Sequence, residues 1–144
     1  MFYILIIFLI FLDLITKYLA KINLLEQKSL IGDFLYLKYV ENIGIAFGIP
    51  LTGILLKILT ISIIGIIFWY YLKEEKNKNN KFINFSFILI LAGALGNGYE
   101  RIFNSKVIDF IGVKYFSVFN LADIFITIGV FIYILVLIFK KYGR

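Results

Sequence analysis

With 144 residues, 62% of them hydrophobic, 19% aromatic and 17% charged, and a mean hydropathy of +0.96, this chain carries more apolar surface than a core of its size can hide. Lipid must be its solvent over most of its length, and one integral-membrane domain over residues 1–144 is expected. The absence of Cys and His excludes disulfides, thiolate metal sites, cysteine nucleophiles and every catalytic arrangement that needs an imidazole. The net charge of +6 does not point to nucleic acid, because basic residues in so apolar a chain flank membrane spans.

Four apolar stretches approach the roughly 20 residues that cross a hydrocarbon core as helix, over residues 2–20, 51–72, 82–99 and 116–139. The first lacks a basic start and runs into Asp13-Leu14-Ile15-Thr16-Lys17 instead of a small-residue cleavage site, so a retained span is expected rather than a cleaved leader. Residues 34–40, rich in aromatic and branched side chains and flanked by Gly32, Asp33 and Asn42, read as a strand outside the bilayer. Residues 107–116, with a turn at Gly112, offer a second extended piece for a small sheet. The polar run 73–81 (KEEKNKNNK) reads as a solvated turn between antiparallel helices.

Both termini and that turn then share one side. Lys73, Lys76, Lys78, Lys81, Lys140, Lys141 and Arg144 fall there, against Lys21, Lys28, Lys38, Arg101, Lys106 and Lys114 opposite. The counts are nearly equal, but the first set is packed into two short segments at span ends, which favours cytoplasmic termini.

An ionisable side chain inside a span costs a few kcal/mol on insertion scales, so each one is a functional candidate. Asp13 lies about seven residues from the end of the first span and Asp123 about seven residues inside the fourth, placing both roughly 10 Å below the same membrane face. Asn97, Arg101 and Asn120 approach that face from spans three and four, and Asn42 and Asp109 lie in the two loops there. Asp13 and Lys17, like Asn97 and Arg101, are four apart, and Asn120 and Asp123 are three apart, so each pair shares a helix face. Asp13 with Lys17 reads equally as a local ion pair or as part of a site. Arg101 serves either the site or an interfacial anchor. Gly93 and Gly96, beside Ala92 and Ala94, favour close helix packing over substrate contact.

Asp109 and Asp123 both sit among apolar neighbours. Two carboxyls that face each other can share one proton, one drawing a proton from water while the other donates, and the sequence offers no other acid/base machinery. The structural alternative is that both merely cap helix ends.

At these residues the chain resembles lipoprotein signal peptidase, or signal peptidase II, the integral-membrane aspartyl peptidase of bacteria. The likeness runs through Asp13-Leu14-Ile15-Thr16-Lys17, Asn42-Ile43-Gly44-Ile45-Ala46-Phe47, Gly93-Ala94-Leu95-Gly96-Asn97 with Arg101, Val107-Ile108-Asp109-Phe110 and Phe119-Asn120-Leu121-Ala122-Asp123, in that order. It implies an all-α membrane protein of four transmembrane helices with a small extracytoplasmic β-sheet as a cradle, both termini cytoplasmic, in the bacterial inner membrane. It implies cleavage of diacylglyceryl-modified prolipoproteins just before the lipidated cysteine, with no metal or cofactor. Asp109 and Asp123 become the expected catalytic pair, and Asp13, Asn42, Asn97, Arg101 and Asn120 the residues that hold substrate, lipid head region or dyad. A monomer in contact with membrane lipid is expected, with no nucleic acid.

The family pattern Gly-Asn, two residues, Asp-Arg is here Gly96-Asn97-Gly98-Tyr99-Glu100-Arg101, so Glu replaces Asp and Gly98 enters the helix. Glu100 is expected to pair with a basic residue near Arg101 or with Lys106. Two rival readings are a small proton-coupled transporter or channel subunit, whose relay would need carboxylates toward both faces, and a noncatalytic factor that binds lipidated proteins, in which Asp109 and Asp123 need not meet.

Overall fold

In lipid a backbone must satisfy its own hydrogen bonds, and unbroken runs of Ile, Leu and Phe do so as helix. The computed structural model describes residues 1–44 and 53–142. Ile45, Ala46 and Phe47 of the second motif, the expected start of the second span at Leu51, and Arg144 lie outside the described residues. Helices α1 (Phe2–Asn23), α2 (Gly53–Tyr70), α3 (Lys81–Asn104) and α4 (Leu121–Tyr142) are each long and apolar enough to cross a membrane. Their outward faces expose residues such as Ile4, Ile54, Ile66 and Phe131, the side chains that lipid covers.

Helix α3 is the hub: α4 packs along it, and α1 and α2 lie against its other sides. It is the least apolar of the four helices and the most buried, since its neighbours are protein and not lipid. Small residues let those neighbours in. A Cβ on Gly93 would lie 2.3 Å from the Ala122 carbonyl oxygen, and one on Gly96 would lie 2.8 Å from Asp13 Oδ2. Asn80 starts α3 by accepting from the amides of Phe82 and Ile83, at 2.9 and 3.2 Å.

Strands β1 (Lys28–Ile31), β2 (Leu35–Asn42), β3 (Val107–Val113) and β4 (Val118–Phe119) form one antiparallel sheet in that order, at the end of the bundle remote from the termini. In β3, Val107 and Asp109 are both buried, two residues apart and thus on one face.

The structure departs from the expected elements at four places. Strand β1 was not anticipated. Gly112 makes no turn but pairs with Tyr36 and Val118 inside the sheet, where a Cβ would meet the Tyr36 ring. Residues 116–120 belong to β4 and its flanks, so the fourth helix starts at Leu121. The run 73–81 is not simply solvated: Tyr71–Glu75 continues α2 as a π-turn, Lys76–Lys78 form a 3₁₀ turn, and Glu75 is buried.

Candidate active site

Strand β4 hands the chain directly to α4, which places Asn120 just before the first helical turn. Asn120 Oδ1 accepts from the amide of Asp123 at 3.0 Å, while Asp123 Oδ2 accepts from the amide of Asn120 at 3.1 Å. This reciprocal pair is an Asn-x-x-Asp version of the capping box. Asp123 therefore does cap a helix, as the structural alternative supposed. Asp109 does not, because it sits in β3.

The two carboxyls are tied together by asparagines from three elements. Asn120 Nδ2 donates to Asp109 Oδ1 at 2.6 Å and to Asn97 Oδ1 at 3.1 Å. Asn97, from α3, turns its own Nδ2 onto Asp123 Oδ1 at 2.8 Å. Asn42, at the end of β2, donates to Asp109 Oδ2 at 3.1 Å and accepts from the Gly44 amide at 3.0 Å. Its strand register explains the reach: Asn42 pairs with Val107 and Val40 with Asp109, so Asn42 and Asp109 are diagonal neighbours across β2 and β3.

Behind this layer lies Lys17, fully buried and ion-paired with Asp13 Oδ2 at 2.7 Å and Glu100 Oε2 at 2.8 Å. It also donates to Asn97 Oδ1 at 2.7 Å. The oxygen of Asn97 is thus engaged by a cation and its amide nitrogen is aimed at Asp123. Asp13 Oδ1 accepts from the Ala122 amide at 2.9 Å, fastening α1 to the start of α4. Asp13 does not line the cavity in front of the dyad. Glu100 was expected beside Arg101 or Lys106; its partner is Lys17, and it also accepts from the Ile108 amide at 3.3 Å, next to Asp109. Lys106 pairs instead with exposed Glu41 at 2.7 Å. From α3 the Glu100 side chain reaches both partners through Oε2.

Glu100 is the member of this assembly that sequence reasoning kept out of the site, and Lys17 was weighed only as the ion-pair partner of Asp13. The available signal was charge balance, since Asp13 and Glu100 are two buried carboxylates that need a cation.

In front of the dyad is a cavity of about 550 Å³ whose wall includes Asn42, Asn97, Arg101, Asp109, Asn120 and Asp123. Phe116, Phe119 and residues of α4 down to Ile128 make the rest largely apolar. Arg101 reaches this wall, and its buried Nε has no hydrogen-bond partner among the described residues. Burial pushes the Asp109 carboxyl up to about 6, with the Asp123 charge adding to the rise and the Asn42 and Asn120 donors opposing it. The site therefore brings together two carboxyls, a set of fixed amide donors and a guanidinium at one apolar cavity.

Residues 5–139 match the family model described as signal peptidase (SPase) II. The chain is 40% identical to the lipoprotein signal peptidase of Caldanaerobacter subterraneus subsp. tengcongensis, over 92% of each chain. It is 42% identical to that of Caldicellulosiruptor bescii, over 92% of this chain and 87% of the relative. Its fold superposes on a bacterial membrane enzyme solved by the in meso method at 2.3 Å resolution, with a TM-score of 0.86 and 29% identity, covering 99% of this chain and 90% of that one. The transporter reading has no support among these likenesses. This multi-pass membrane protein of bacterial type belongs to the signal peptidase II family.

Proposed function

We propose that this signal peptidase acts as an aspartic endopeptidase on diacylglyceryl-modified prolipoproteins, with Asp109 and Asp123 as its catalytic pair. The observation that carries this reading is that both carboxyls are held by one asparagine set at the wall of one cavity. Asp123, in the first turn of α4 where the helix dipole favours an anion, accepts from Asn97 Nδ2 of α3 and from the Asn120 amide, so it takes the base role. Asp109, raised to about 6 by burial, is assigned the acid role, holding its proton below that pH.

The chemistry then balances without a metal. A water oxygen attacks the carbonyl carbon before the lipidated cysteine while its proton passes to Asp123. Asp109 donates its hydrogen to the carbonyl oxygen. As the C–N bond breaks, the leaving nitrogen takes the proton from Asp123, and Asp109 recovers its own. Each positioned proton transfer supplies about 10²–10⁴-fold. Asn42, Asn97 and Asn120 hold the carboxyls, Asp13 holds the frame through Ala122, and Arg101 meets the peptide or lipid head region. The test is cleavage by purified protein. A diacylglyceryl-modified precursor is cut with chelator present, and its unmodified form is not. Cleavage that stops with chelator would overturn the mechanism.

The pH profile checks the assignment of roles. If Asp109 is the acid, kcat/KM falls as pH rises through about 6, because the proton is lost. Asn42 stabilises the ionised form, so Asn42→Ala slows cleavage and moves that limb to higher pH. An unmoved limb would take Asp109 out of the acid role.

The termini face the cytoplasm and the sheet lies outside, in line with the lysine-dense terminal side. A reporter fused at Asn79 that is active only outside the cell would reverse this.

A further inference from the structure

The mechanism makes no use of Glu75, a buried carboxylate at the opposite end of the bundle. Its Oε1 accepts from Tyr133 Oη of α4 at 2.9 Å, from Tyr70 Oη of α2 at 3.2 Å and from Lys78 Nζ at 2.6 Å. The two tyrosine hydroxyls lie 2.9 Å apart. The tyrosines bracket Phe87 of α3, with ring centroids 6.2 Å and 5.2 Å from it. A lysine-rich turn at a membrane surface has no need of a buried acid, since Glu75 would be fully hydrated if it pointed outward. The π-turn Tyr71–Glu75 is a second departure from plain helix, of a kind enriched at functional positions.

The cluster matters because of what it joins. Helices α2 and α4 each pack on α3, not along one another. Toward the sheet end a second cavity of about 220 Å³ lies between them, floored by α3 and lined on the α2 side by residues from Leu56 to Ile67. It shares Asn97, Arg101, Asp123 and Ile126 with the cavity before the dyad. Gly98 sets how near α2 comes: a Cβ there would lie 2.7 Å from Ile64 Cδ1. The space between α2 and α4 is therefore a cleft that runs up to the catalytic carboxyls and is tied by polar side chains at its far end.

We propose that Glu75, Tyr70 and Tyr133 form a clasp that fixes the spread of α2 from α4, and are thereby positioning residues for the apolar helical segment of the substrate beside the dyad. The substrate named here rests on the function proposed above; the clasp itself does not. With the far end tied, an apolar segment in the cleft is held at one depth, and its cleaved end meets Asp109 and Asp123. With that end loose, the segment is held less well although the carboxyls are undisturbed.

The chain has no Cys, so introduced pairs can be spin-labelled cleanly. One pair, Ile66→Cys with Ile134→Cys, reports lipid-facing positions toward the clasp end. Tyr70→Phe/Tyr133→Phe removes both hydroxyls and leaves Glu75 paired with Lys78, so no buried charge is left alone. In reconstituted full-length protein the label distance is expected to lengthen and broaden. KM for a lipidated precursor should rise about fivefold, the factor that one net hydrogen bond corresponds to, with kcat within about twofold. Glu75→Gln keeps an acceptor for Tyr133 but loses the charge that pairs with Lys78, so it should shift both readouts in the same direction as the tyrosine variant and by less.

Unchanged label distances in the tyrosine variant overturn the clasp. A loss in kcat instead of KM overturns the positioning role. If the distances respond but wild-type protein fails to cut any lipidated precursor, the clasp stands and the proposed substrate falls.

Discussion

Asp109→Asn and Asp123→Asn each lower cleavage of a lipidated precursor by at least about 10³-fold, and the double variant is little worse than either alone. Asn is close to isosteric with Asp, so the cavity wall keeps its shape and the loss reports ionisation. Either change leaves one carboxyl without the partner that shares its proton, and the remaining one cannot be both acid and base. The two variants should differ in stability. Asp123 also caps α4, so Asp123→Asn loses part of the reciprocal pairing with Asn120, whereas Asp109→Asn removes a carboxyl that burial already disfavours in ionised form. For Asp109 the sign is fixed by its raised value: the folded state holds the proton more tightly than the unfolded chain, so its contribution to stability is complete below about 4 and is lost as pH rises through about 6. Single-turnover assays on purified variants check the first part, and either Asn variant cutting at near the normal rate would sink the dyad.

Lys17→Met is expected to damage the protein further from the cavity and more broadly. The ammonium balances Asp13 and Glu100, all three being buried. Removing one partner of a buried ion pair costs about 3–5 kcal/mol, because the charges left behind have neither water nor a counter-ion. In a domain of this size that corresponds to a fall in Tm on the order of 10 °C. Cleavage should fall as well, since Asn97 loses the charged one of the two donors that hold its oxygen, leaving only Asn120. Adding Glu100→Gln should recover part of the lost Tm, because it removes one of the stranded charges, whereas two independent sites would simply add their losses. Thermal unfolding in detergent reads this directly. A double variant less stable than Lys17→Met would show that Glu100 is not balanced by Lys17.

Composition and runs of apolar residues were enough to assign this protein's solvent, its four spans and its catalytic inventory, because no tertiary contact can reverse them. Asp13, Asn97, Asp109, Asn120 and Asp123 stood out for the same reason: a polar group in an apolar run is conspicuous wherever it ends up. Partnership was not legible in this way. From sequence, Glu100 was expected to pair near Arg101 or with Lys106, and only the packing of α1 against α3 selects Lys17, 83 positions away. Gly112 looked like a turn because glycine permits one, yet the approach of the Tyr36 ring from the neighbouring strand gives it another use. Glu75 sat in a run so polar that solvation was the natural reading. Tertiary structure decided otherwise, since a π-turn carries it to face Tyr133 of α4, a contact 58 residues distant that local periodicity does not encode. Span and chemistry are properties of short segments; which buried charge meets which partner is a property of how the helices are set against α3.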